Sequence, residues 1–68
     1  MADIAKVITI IGQSPESFAK AADAAVQEAA KTVRGIHGVD VISMSALVEN
    51  ERISMYRTTV TIAFAVER

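Results

Sequence analysis

The sequence predicts an α+β protomer of β-α-β-β order, and three of its stretches carry that expectation. A run rich in β-branched residues, "IAKVITII" at 4–11, comes first, and a stretch with apolar residues three and four apart follows "GQSPES". Two stretches of alternating apolar residues, separated by "ENER", close the chain. The 68 residues hold a single domain, 1–68, with no room for a linker or a second core.

The first strand ends at Gly12, carries Lys6 as its only charge, and has the composition of a strand at least partly buried on both faces. "GQSPES" then supplies a helix start, with Ser14 as N-cap, Pro15 in the first helical position and Glu16 in the first turn. From Pro15 to about Arg34, Phe18, Ala22, Ala25, Val26, Ala29 and Val33 form one stripe. Glu16, Lys20, Asp23, Gln27, Lys31 and Arg34 form the opposite one. Alanine-rich packing allows close approach to a sheet, and Gly35 is placed to act as C-cap.

Val39 to Val48 and Ile53 to Val66 then read as a hairpin turning at Asn50 and Glu51. In that register Glu49 opposes Arg52, Val41 opposes Val60 and Val39 opposes Ile62. One face holds Val39, Val41, Leu47, Tyr56, Val60, Ile62, Phe64 and Val66 and takes the helix. The other holds Gly38, Asp40, Ile42, Met44, Ala46, Met55, Arg57, Thr59, Thr61 and Ala63, and the chain has no second helix to cover it. A slip of one residue exchanges the two faces. That second face, too apolar for free exposure and too polar for a dry core, suits a wet interface or a ligand cleft between subunits.

Composition points the same way. So small a domain usually needs disulfides, a metal or oligomerisation; cysteine is absent, and one histidine with scattered carboxylates makes no zinc-type ligand set. With 51% hydrophobic residues, the excess apolar surface is expected to meet other subunits. A net charge of −1, with seven dispersed basic residues, argues against nucleic acid. "MADIAKV" runs directly into the strand pattern, and no apolar run approaches the roughly 20 residues of a membrane span, so a cytoplasmic protein without membrane contact is expected.

Catalysis finds few candidates. Nucleophilic chemistry needs a base and an orienting group around the nucleophile, whereas His37 lies between Gly35 and Gly38 in "RGIHG" as a solvated turn residue. No enzymatic activity is expected. Glu49 and Glu51 form a charged hairpin tip that could share a cation, and "GQSPES" reads as a cap before it reads as an anion site. Arg57, on the open face with Asp40, Thr59 and Thr61, serves either as a polar ligand contact or as an intersubunit ion-pair partner of Asp40.

Taken together, "IIGQSPESF", "AADAAVQEAAKTVRGI" and "VDVISMSALVENERISMYRTTVTIAF" resemble the dodecin family over nearly the whole chain. The resemblance implies a β-α-β-β protomer, a three-stranded antiparallel-type sheet on one long helix, assembled into a hollow homododecamer. It further implies a non-catalytic storage protein that holds riboflavin or FMN in pairs at a two-fold interface on the open sheet face. By the family's pattern, Gly38 stands where flavin-binding members carry a stacking tryptophan and Arg57 where they carry a glutamine, with Asp40 and Thr59 beside them. The chain has no tryptophan, and the loss of an aromatic stack weakens the flavin expectation. Arg57 could still donate to a flavin carbonyl or phosphate, or stack on its ring. A tryptophan-free branch of the family, similar at "YR", is associated with calcium, so a calcium-binding or purely structural dodecameric cage is the alternative.

Overall fold

The computed structural model of the chain describes residues 4–66. Their order is β1 (Ala5–Ser14), α1 (Phe18–Ala30), β2 (Ile36–Glu49) and β3 (Arg52–Ala65), in one antiparallel sheet ordered β1-β3-β2. The helix connects the two edge strands and lies over β1 and β3, while β3 occupies the centre.

Helix and sheet meet through small residues. Ala21, Ala25 and Ala29, spaced by four, form the buried line of α1, and Gly12 of β1 faces it. A Cβ on Gly12 would sit 1.9 Å from the Ala21 carbonyl oxygen, so only glycine admits this approach. The core joins Ala25, Ala29, Val60 and Ile62 to Ile8, Ile10, Ala22, Val26 and Ile36. Val60 and Ile62 have no exposed surface, and each contributes roughly 1.5–3 kcal/mol by burial. Thr58, also buried, donates its hydroxyl to the Phe18 carbonyl at 2.9 Å, and the Phe18 and Tyr56 rings meet edge to face at 4.8 Å.

The helix is shorter than the sequence pattern implies. Its N-cap is Ser17, not Ser14: Ser17 Oγ accepts from the Lys20 amide at 3.0 Å, while Ser14 Oγ accepts from the Glu16 amide and holds a bend through Pro15. Two serines three residues apart compete for the cap, and the strand running on to Ser14 leaves it to the later one. At the other end Lys31, not Gly35, is the C-cap, and the helix closes with tightened bonds from the Lys31 and Thr32 amides to the Glu28 and Ala29 carbonyls. Gly35 instead takes φ 77° in the link to β2, where its carbonyl accepts from the Ala65 amide at 3.0 Å. The first strand is covered on one face alone, Val7 and Ile11 of its other face being 63% and 49% exposed.

The hairpin turns at Asn50 and Glu51, both with positive φ (53° and 63°), as a two-residue turn between right-twisted strands requires. The predicted pairs Glu49–Arg52, Val41–Val60 and Val39–Ile62 are all present. Between them the register shifts: Ile42 is an extra residue on β2, and Ser54 an extra residue on β3 that restores the pairing. Met44 and Ala46 consequently pair with Thr58 and Tyr56 on the helix side, and Leu47 pairs with Met55 on the open side, the reverse of the expected faces.

Candidate functional site

Antiparallel partners directly opposite one another share a face, so the register arranges the open side of the sheet in rows across all three strands. Val7, Ala63 and Gly38 form the first row, and Thr9, Thr61 and Asp40 the second. Ile11, Thr59 and Ser43 form the third, and Gln13, Arg57 and Ser45 the fourth. Gly38, Asp40, Thr59 and Arg57, the residues singled out in the sequence, all belong to this face.

They share the face without sharing a spot. Six residues of β3 separate the Gly38 row from the Arg57 row, about 20 Å at roughly 3.3 Å per residue. Asp40 and Arg57, four residues apart along β3, are separated by about 13 Å on the same count. No ring system of about 10 Å reaches from Gly38 to Arg57 in one chain, and no ion pair joins Arg57 to Asp40 among the described residues. A single ring touching both positions has to lie between two copies.

The environment of each position is distinct. At Gly38 a Cβ would meet only the Ala63 Cβ, at 3.9 Å, so the surface there is open and could carry a side chain. Arg57 is half-buried between Gln13 and Ser45, neighbours that the sequence reading missed because the pairing of β1 was not legible in it and because the extra residue Ile42 shifts β2 by one. Its Nε is buried with no hydrogen-bond acceptor, and no carboxylate pairs with the guanidinium, among the described residues, so the charge of the group is left to be met by solvent or by a group from outside the chain. The residues around it are hydroxyls, an amide and small apolar groups, which can orient a polar ligand but supply no nucleophile with its base.

The other sequence candidates are dispersed. His37 is the extra residue of a bulge at the start of β2 and is exposed. Glu49 and Glu51 flank the hairpin tip, and among the described residues no group of three histidine, cysteine or acidic side chains is placed to hold a metal. Ser14 and Ser17 are engaged in local bonds at the helix entry. Among the described residues no helix is long and apolar enough to cross a membrane.

The family model for dodecin matches residues 4–67. Among solved structures, a mutant of the T. thermophilus dodecin superposes with a TM-score of 0.95 at 22% identity, covering 98% of this chain and 100% of that one. The dodecin of Streptomyces davaonensis gives 0.95 at 19% identity, with both chains covered completely. These two show the shared fold. The calcium chelating immunodominant antigen of Mycobacterium tuberculosis, a calcium dodecin described with a novel calcium-binding site, gives 0.82 at 37% identity over 94% of this chain and 91% of its own. No curated protein matches the sequence.

Proposed function

The chain belongs to the dodecin family, and from that premise we propose that it is a non-catalytic homododecameric storage protein of the cytoplasm that sequesters a small ligand between the open sheet faces of its subunits. The observation that carries this reading is the half-buried Arg57, without an ion-pair partner among the described residues, on a sheet face that no described element covers. The ligand class favoured is a flavin, riboflavin or FMN. Its polar edge suits Arg57, which offers donors to a carbonyl or a phosphate. Its ring face meets no aromatic at Gly38, so affinity rests on the polar contacts and on apolar neighbours such as Val7 and Ile11. Gly38, Asp40, Thr59 and Arg57 are the proposed ligand-binding positions, with the Gly38 end and the Arg57 end of one site contributed by different copies.

A fluorescence titration of riboflavin and FMN, with particle size followed by light scattering in the same sample, tests this. Saturable quenching that weakens in Arg57→Ala while the particle persists supports it; an intact particle that quenches neither flavin overturns the flavin assignment.

The 37% identity to the calcium dodecin favours a second reading, a cation-binding or structural cage. Since no acidic group of three is assembled among the described residues, its calcium would be shared between copies. Thermal stability that falls on adding a chelator and returns with calcium supports that reading, and indifference to both removes it.

A further inference from the structure

β1 reaches β3 no further than Tyr56, and the helix starts beside that same residue, so the hairpin beyond it stands out as two strands alone. An isolated two-stranded ribbon is marginal in water. This one is apolar on both sides: Leu47 faces the open side, Val48 and Ile53 the other, and all three are between 44% and 64% exposed. Its tip carries Glu49, Glu51 and Arg52, a net charge of −1 with Arg52 directly across from Glu49, and none of the three is in an ion pair among the described residues.

At the opposite end of the molecule's 54 Å long axis lies a hollow of about 320 Å³. Val33, Phe64 and Val66 supply its apolar wall, and Lys6 and Arg34 its charge. Neither cation has an ion-pair partner among the described residues. One end is thus an apolar projection of net negative charge and the other a basic, apolar recess.

We propose that the ribbon tip of one copy seats in this hollow of a second copy, with Glu49 and Glu51 against Lys6 and Arg34. Leu47 and Met55, on the same side of the ribbon as Glu49, then lie against the apolar wall, while the charges fix polarity and register. Such a contact is head to tail, the same two different patches meeting at each junction, and it closes only as a ring. The inference rests on the self-association in the reading above and names the surfaces that would make part of it.

The absence of cysteine from the chain makes the test direct. The variant carrying both Arg34→Cys and Glu51→Cys, oxidised in the assembled state, is expected to give a ladder of covalent oligomers on a denaturing, non-reducing gel. Each single variant is expected to run as a monomer there. A particle of unchanged size without the ladder overturns the proposal and leaves the storage reading standing; a chain that remains monomeric in solution overturns both; a dimer from Glu51→Cys alone assigns the tip to a different contact and overturns it too. Reversing the tip with Glu49→Lys and Glu51→Lys is expected to raise the concentration of half-dissociation at least about tenfold, and adding Lys6→Glu and Arg34→Glu to restore it. Unchanged dissociation on reversal counts against the contact.

Discussion

Gly12→Ala is the sharpest probe of the fold that carries the site. The added methyl would lie 1.9 Å from the Ala21 carbonyl oxygen, 2.9 Å from its carbonyl carbon and 3.1 Å from the Ala25 Cβ. The obstacle is helix backbone, which cannot swing aside as a side chain does, so α1 has to lift from β1 by roughly 1.5 Å to restore ordinary contact. A gap of about 0.5–1 Å already forfeits a quarter to a half of a dispersion contact, and the lift affects Ala21, Ala25 and Ala29 together. It also strains the buried hydrogen bond from Thr58 to Phe18. Overpacking of about 1–3 kcal/mol with the loss of a buried bond of about 1 kcal/mol gives on the order of 3 kcal/mol, a fall in melting temperature of at least about 12 °C for a domain of this size. Thermal unfolding by circular dichroism, at one fixed protein concentration because assembly couples to stability, reads it. Gly38→Ala is the control: its Cβ would meet only the Ala63 Cβ at 3.9 Å, and the change is expected to stay within about 0.5 kcal/mol. A Gly12→Ala protein melting within about 2 °C of the parent would refute the close-contact reasoning.

Three further outcomes are expected. Gly38→Trp, at a position with space for a Cβ, should tighten riboflavin binding at least about tenfold in the fluorescence titration by supplying the missing stack; no gain on an intact particle argues against Gly38 as a flavin contact. Asn50→Gly should stabilise the chain by up to about 1 kcal/mol, since it relieves a left-handed backbone at φ 53° and leaves Glu51 in place, and a lower melting temperature would contradict that origin of strain. Thr58→Val should cost about 1–2 kcal/mol in chemical denaturation through the lost bond to Phe18, with the midpoint shifted and the slope unchanged.

The element order and much of the hairpin register were legible because the period of the apolar residues changes from two to three-and-four and back, and because "ENER" marks the turn. The reversed faces of Met44, Ala46 and Leu47 trace to the bulge at Ile42. A signal was present: adjacent apolar residues Val41 and Ile42 break the alternation, after which the apolar positions shift from odd to even numbers. The compensating extra residue, Ser54, leaves no such mark. The helix start was misplaced because either serine of "SPES" satisfies the cap preference locally, and the extension of β1 to Ser14, a tertiary matter, decides between them. The open face was found because the chain has a single long helical pattern. The place of Gln13 beside Arg57 depends on which strand lies on the other side of β3, which no local pattern encodes, and that of Ser45 on the same bulge at Ile42.

The irregular pairing of β2 bears on the life of the chain before it finds its partners. A newly made copy exposes this edge strand together with Val39, Val41, Ile42 and Met44, a combination that invites stacking into fibres. Register shifts at His37, Ile42 and the Leu47–Val48 step leave regular pairing over Gly38–Val41, Ser43–Leu47 and Val48–Glu49, four, five and two residues. Each shift bends and twists the strand, so the free edge offers no long flat template for another strand to extend. The same irregularities that re-aim side chains within the sheet therefore also disfavour open-ended growth along the edge.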